Sequence, residues 1–253
     1  MDSEAEHQTD TFDEGEPEVP EAPWLRPPRK SRERAPLSRE AIVDAALRLL
    51  DREGAAAFSM RRLAEELGVG AGAVYWHVAN KEQLLQLVFD RVIGELPMPE
   101  PDPERWREQV KQAALEEREM LKRPPGIAQL MFGRIPLGPN SIRYIEWHLS
   151  LLRVGGLSER VTALAGDLVF LYIAAFAYED YLRTSDPAHA EAAPHDFVGE
   201  MREYFASLPP DRFPNVVSLA VPLTSGGPEA RFEFGIDVLI DGLVAQSQRD
   251  TER

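Results

Sequence analysis

Cysteine is missing from all 253 residues, which excludes disulfides, thiolate nucleophiles and cysteine-ligated metal ions and fits a reducing cytoplasm. Histidine is scarce as well, and His7, His77, His148, His189 and His195 show no metal-binding spacing. Neither standard glycine-rich phosphate loop is present, so no metal, cofactor or catalytic residue is expected. Long hydrophobic runs are also lacking: the longest, Val161 to Ala177, is interrupted by Asp167, falls short of a membrane span and reads as a buried helix. No basic start followed by an apolar run marks a secretory signal, and no membrane partner is expected. The shortage that matters most is of positive charge. With 28 Lys and Arg against 43 Asp and Glu, a formal net charge of −15 argues at first against a nucleic-acid partner.

The distribution of that charge changes the inference. Residues 1–25 carry acids and no Lys or Arg, Arg26 to Arg34 (RPPRKSRER) is strongly basic, residues 36–82 are near neutral, and the remaining acidity lies in 83–253. Residues 1–35 are rich in Asp, Glu and Pro and poor in large apolar groups, so they read as a disordered acidic tail ending in a basic arm. The arm either follows DNA phosphates and the minor groove or is a solvated linker.

What is present is helical periodicity, and the most informative stretch is Ser59 to Lys81, SMRRLAEELGVGAGAVYWHVANK. Met60, Leu63, Ala64 and Leu67 form the apolar stripe of a short helix. Gly68 supplies a left-handed stop, and Val69 begins a tight turn into a second helix that packs Val74 and Val78 inward while offering Tyr75, Trp76 and His77 outward. Exposed aromatics are a poor choice for a solvated face. One reading is a helix-turn-helix whose second helix enters the major groove; the other is a helical hairpin in an all-α core.

Around this unit, Ser38 to Gly54 reads as a supporting helix capped by Ser38, and Asn80 caps a fourth helix running to Pro97. PMPEPDP, residues 97–103, is a stiff connector, with the domain boundary there or at the start of the fourth helix. Further helices are expected from Trp106 to the Arg123-Pro124-Pro125-Gly126 break, around Ile127 to Phe132, over Ser141 to Arg153, from Ser158 to about Arg183, around Phe197 to Leu208 and over Pro228 to Gln246, with an irregular stretch from Leu208 to Gly227. The fold class is therefore all-α, and the Ser158–Arg183 helix, apolar on most sides, is expected to be covered on most sides. Asp167 within it would need a partner, either across a dimer seam or from a local Arg. His148 beside Trp147 either lines a pocket or is a satisfied or exposed histidine, and Tyr172, Phe176 and Tyr178 either line the same pocket or are ordinary core.

Tyr75-Trp-His-Val followed by Asn80-Lys81, with the Ser38–Gly54 helix and the Ser59–Val69 segment, resembles the tetracycline-repressor (TetR) family, and Phe232 to Leu243 resembles the last helix of the branch with a tetracycline-repressor-like C-terminal domain. The resemblance spans Leu37 to the end and is specific in its first fifty residues. It implies a three-helix DNA-binding domain over 36–82 and a helical effector-binding and dimerisation domain over 83–253. It also implies a homodimer on a palindromic operator, released by a small molecule, with Leu157 to Asp180 and the last helix forming a four-helix seam. DNA-contacting positions carried over from the motif are Arg61, Ala71, Gly72, Ala73, Tyr75, Trp76, His77 and Lys81. Ala71, Gly72 and Ala73 replace polar base-reading residues and offer only apolar contact or close backbone approach, which shifts specificity toward Arg61, the basic arm and DNA shape. Where tetracycline-binding members hold a magnesium-chelated drug, this chain has Pro97, Ala113 and Met131, which argues against that ligand. A more apolar or aromatic effector is expected, contacted from Phe89, Trp106, Met131, Trp147, His148 and Tyr172. A regulator without an effector and an unrelated helical enzyme are the competing readings.

Overall fold

The computed structural model describes residues 37–128, 137–185 and 197–252, and among them every regular element is a helix. The acidic tail, the basic arm, Met131, His189 and His195 lie outside the described residues, as does most of the short helix expected around Ile127 to Phe132.

Helix α1 (Arg39–Ala57) starts where the Ser38 hydroxyl accepts the Ala41 amide at 3.1 Å and buries Ile42, Ala45, Ala46, Leu49 and Leu50. It does not stop at Gly54. That residue kinks the helix at φ 73°, and the last turn continues because the Ala55 amide donates to the Pro125 carbonyl at 3.0 Å, a loop distant in sequence. Helix α2 (Met60–Leu67) is capped by Ser59 and closed by Gly68 in the left-handed region, with φ 65° and ψ 36°. Helix α3 (Ala71–His77) buries Val74, and Val78 packs beneath its end. Two ion pairs, Arg52 with Glu66 at 2.8 Å and Arg62 with Glu53 at 2.9 Å, tie α2 to α1 across their exposed sides.

Helix α4 (Lys81–Ile93) is capped by Asn80, whose side-chain oxygen accepts the Gln83 amide at 2.8 Å, while the Gln83 side chain accepts the Ala79 amide in return. Its apolar face, Leu84, Leu85, Val88 and Phe89, is wholly buried because α4 packs on α1 at one end and on α6 (Pro139–Val154) at the other. Helix α5 (Trp106–Leu121) and helix α7 (Glu159–Ser185) form the centre of the second half, with α6 and α11 (Pro228–Thr251) against them. The expected start of α6 at Ser141 moves to Pro139, a favoured first helical residue.

Two expectations are corrected. The stretch from Leu208 to Gly227 is not irregular throughout: after α8 (Phe197–Ser207) come the short helices α9 (Pro214–Ser218) and α10 (Ala220–Leu223), which pack on α8 and on each other. Helix α7, long and apolar enough to cross a membrane on those measures alone, packs against α5, α6 and α11, yet it is not covered on most sides. Leu164, Leu168 and Leu171 stand exposed on one stripe, and Asp167 is exposed rather than buried, because a 27-residue helix meets its neighbours within the chain along only part of its circumference.

Candidate DNA-binding surface and effector cavity

The α2–α3 pair presents a continuous outer face. Tyr75 is 49% exposed and Trp76 86% exposed, because Val74 and Val78 already fill the inward side of a helix too short to hide larger groups. Ala71, Gly72 and Ala73 are exposed at its first turn, and no protein atom lies within 4 Å of where a Cβ on Gly72 would stand, so the backbone is open to close approach. His77 is half-buried at the end of the helix. Arg61, on α2, is exposed and paired with Glu65 at 3.0 Å, an i,i+4 pair too solvated to hold it firmly. Lys81 is more constrained than its place in the sequence suggests: its ammonium donates to the Phe58 carbonyl at 2.9 Å and lies 5.4 Å from the Phe58 ring centre, stapling α4 to the α1–α2 turn. Arg61, Ala71, Gly72, Ala73, Tyr75, Trp76, His77 and Lys81 thus fall within one helix-turn-helix unit and the start of the helix after it.

Behind this unit a cavity of about 790 Å³ opens among α4, α5, α6 and α7. Phe89 and Ile93 line it from α4, Glu117 from α5, Tyr144, His148 and Leu152 from α6, and Thr162, Val169 and Phe170 from α7, with Arg153, Glu159 and Asp167 as exposed charges at its edge. His148 lines the cavity as a buried ring. Neither ring nitrogen has a hydrogen-bond partner among the described residues, and desolvation lowers its pKa to about 4. Glu117 is buried too; desolvation raises its pKa to about 7, opposed by the Tyr144 hydroxyl, which donates to it at 3.3 Å. The same burial, with Glu117 alongside, pushes the Tyr144 hydroxyl well up, so it stays protonated.

Of the six residues expected around an effector, Phe89 and His148 line this cavity and Met131 lies outside the described residues. Trp106, Trp147 and Tyr172 do not line it. Trp106 packs against Gly155, where any Cβ would collide with the indole. Trp147 turns away to donate from its indole nitrogen to the Pro99 carbonyl at 2.6 Å, pinning the proline-rich connector. Tyr172 stacks on Phe232 at 5.5 Å and donates to the Phe232 carbonyl at 3.1 Å, so it joins α7 to α11, and Phe176 follows it into the same cluster.

Sequence reasoning missed Glu117, Tyr144, Ser141 and Asp90. Glu117 was within reach, since the stripe Trp106, Val110, Ala113, Ala114 continues at helical spacing onto residue 117. Asp90 carried no such signal. It is buried near the end of α4, where its carboxylate accepts the Ser141 amide and hydroxyl, both at 2.8 Å, and the Asn140 amide at 3.3 Å. A side chain of α4 therefore caps the first turn of α6, whose own preceding residue, Gly138, supplies no cap. A carboxylate–cation contact holds α5 to α7: the buried Arg118, enclosed by the Phe176 and Phe232 rings, donates twice to the partly buried Asp180, at 3.0 and 2.7 Å.

Residues 42–88 match the family described as Bacterial regulatory proteins, tetR family, and residues 98–247 match the Tetracyclin repressor-like, C-terminal domain. The chain belongs to the tetracycline-repressor (TetR) family. Among TetR-family relatives, an HTH-type transcriptional regulator of Saccharopolyspora erythraea is 32% identical over 228 residues, covering 90% of this chain and 93% of the relative. The HTH-type transcriptional repressor DrrR1 of Streptomyces coeruleorubidus is 30% identical over 238 residues, covering 90% and 86%. The solved structure of the TetR family protein ActR of Streptomyces coelicolor, in complex with actinorhodin, is 42% identical with a TM-score of 0.77, covering 85% of this chain and 98% of that one.

The protein is thus a TetR-family transcriptional regulator, with an N-terminal helix-turn-helix domain and a C-terminal helical domain, of a family that binds operator DNA as a homodimer and responds to small molecules. The surface such a dimer needs is on the molecule. Leu164, Leu168 and Leu171 of α7 and Phe234 and Val238 of α11 recur at helical spacing and are exposed, Leu164 by 59% and Phe234 by 71%. An apolar stripe shared by two packed helices is open to a partner of matching character.

Proposed function

We propose that the protein represses transcription by holding two recognition helices over a palindromic operator, and that an apolar, aromatic effector in the α4–α7 cavity releases it. The observation that carries this reading is the continuity of α4. Phe89 and Ile93 at its far end line the cavity, while its first residue, Lys81, follows the recognition helix within four residues of His77. An occupant that presses on Phe89 acts on the same helix whose start is stapled beneath the DNA-facing unit. An effector favouring the geometry that spaces the two recognition helices wrongly must lower operator affinity by the same coupling factor.

In this reading residues 36–82 are the DNA-binding domain, 83–253 the effector-binding and dimerisation domain, and 1–35 an acidic tail whose basic end reaches the phosphates. Tyr75, Trp76, His77 and Lys81 anchor the DNA backbone, Ala71, Gly72 and Ala73 let it approach closely, and Arg61 reads bases after exchanging Glu65 for DNA. Half-sites about 34 Å apart fit the two-fold symmetry of the homodimer. The relatives are regulators, the reading has no catalytic step, and it places the protein in the cytoplasm with the DNA it binds.

The decisive experiment selects bound fragments from genomic DNA at physiological salt and then screens aromatic compounds for release, beginning with actinorhodin because a relative is solved with it. Ile145 lines the cavity from α6, and the expected outcome is a palindromic fragment bound by a dimer and released by a compound whose effect Ile145→Trp blunts by filling that space. Absence of any preferred fragment, or release indifferent to Ile145→Trp, overturns the reading. On the selected fragment Arg61→Ala should weaken discrimination between operator and random DNA, while Lys81→Ala weakens both alike, which fluorescence anisotropy on the two DNAs will separate.

A further inference from the structure

His148 forms part of the cavity wall with 8% of its surface exposed and with neither ring nitrogen paired among the described residues. A buried polar atom left unpaired opposes folding, so this ring is primed for a partner that enters the cavity. Because burial keeps it neutral, it offers one donor and one acceptor rather than a charge. Beside it, at 5.4 Å between ring centres, Tyr144 donates a hydrogen bond from its hydroxyl to Glu117. The inner wall is thus a short polar row on helices α5 and α6, with the rings of Phe89 and Phe170 contributed from α4 and α7.

That wall discriminates by charge. A ligand carboxylate placed there loses its hydration next to a buried carboxyl group, with neutral His148 unable to compensate. A ligand ammonium on this inner wall pairs with ionised Glu117, and a buried pair of that kind roughly breaks even against uncharged contacts. An uncharged hydroxyl or keto oxygen meets His148 with no such cost. Size constrains the body of the ligand. One benzene ring fills an apolar cavity of about 150 Å³, so a cavity of about 790 Å³ takes several rings, which the surrounding aromatic side chains can flank edge-on or offset.

We propose that the effector is an uncharged, multi-ring aromatic molecule carrying a hydroxyl or keto oxygen, and that His148 selects it by hydrogen-bonding to that oxygen. The proposal rests on the cavity being the effector site, as argued above.

The test uses the full-length protein and four molecules with one common body: phenanthrene, 9-phenanthrol, phenanthrene-9-carboxylate and 9-phenanthrenemethylamine, titrated by fluorescence at neutral pH. Wild type should bind 9-phenanthrol about tenfold more tightly than each of the other three, the worth of one well-placed hydrogen bond. His148→Phe, which keeps a ring in the same space, should bind phenanthrene and 9-phenanthrol equally, while His148→Gln, which restores a donor and an acceptor, should recover the preference. Ile145→Trp should abolish binding of all four and so locate them in the cavity. Preference for phenanthrene or for either charged molecule, failure of all four to bind wild type, or an undiminished 9-phenanthrol preference in a folded His148→Phe overturns the proposal. The wild-type comparison decides the matter even where a variant fails to fold. Operator release by some other class of compound, blunted by Ile145→Trp, would leave the effector reading standing while this ligand class falls.

Discussion

Trp76 exposes 86% of its surface on a helix whose inward side is already complete, so its indole contributes little to the free chain. Trp76→Ala should change stability by no more than about 0.5 kcal/mol while lowering operator affinity about tenfold, measured by thermal melting and anisotropy on the same preparation. A large loss of stability would show that the ring is part of the core. Glu117 and His148 make the opposite case, buried groups whose ionisation opposes folding. His148 has a folded-state pKa of about 4 against an ordinary 6.5, so its contribution is complete above 6.5 and is lost as pH falls toward 4. Glu117 has a folded-state value of about 7 against 4.5, so its contribution is complete below 4.5 and is lost as pH rises through 7. Between 4.5 and 6.5 the two slopes oppose each other and cancel. Glu117→Gln keeps an acceptor for the Tyr144 hydroxyl and removes the alkaline loss. It should stabilise the protein by about 3 kcal/mol near about pH 8 and by almost nothing at pH 4.5, in urea unfolding at fixed protein concentration. An equal effect at both pH values would mean that Glu117 ionises normally.

At the scale of the helices, the joint between α4 and α6 adjoins the cavity. The Asp90 carboxylate accepts three hydrogen bonds from Asn140 and Ser141, and Ser141 itself lines the cavity. Gly138 is required there, because any Cβ would overlap the Asp90 carboxyl group. Asp90→Ala removes a helix cap and leaves buried donors unpaired, so it should destabilise by about 2 kcal/mol and accelerate hydrogen exchange at the Asn140 and Ser141 amides before the rest of α6. Unchanged protection at those two amides would show that the cap does not hold the helix start. The loop at Pro125, which accepts the Ala55 amide, is a second tie between the first helix and the C-terminal half. Neither tie is legible in the sequence, because each joins one side chain or carbonyl to backbone amides far away along the chain, and no local periodicity reports such a pair. The helices themselves were legible. Ser38 and Asn80 cap as their residue types dictate, and Gly68 adopts the left-handed turn that its position requires.

At the scale of the whole molecule, the exposed leucines of α7 and the apolar residues of α11 have no cover among the described residues, and a second subunit seated on them would bury them. Leu168→Glu puts a charge into the middle of that seam. It should convert the dimer to a folded monomer in analytical ultracentrifugation, with circular dichroism unchanged, and weaken operator binding about a hundredfold as the two half-sites become independent. A Leu168→Glu protein that still sediments as a dimer would place the seam elsewhere. The dimer also explains why an apolar helix read alone is ambiguous. The same stripe suits a buried core, a membrane or a partner, and periodicity does not distinguish what covers it.

By itself the sequence determined the helical class, the caps and turns, the inward Val74 and Val78 and the outward Tyr75 and Trp76, because each depends on residues within a few positions of one another. Tertiary structure alone decided which aromatics face a cavity. Trp106, Trp147 and Tyr172 looked like Phe89 and His148 in their helical stripes, and packing turned the first three toward Gly155, Pro99 and Phe232 while leaving the other two on open space. The physical reason is that a helical stripe specifies a side to be covered, whereas a cavity is the volume that four separate helices fail to fill once each has found its own neighbours.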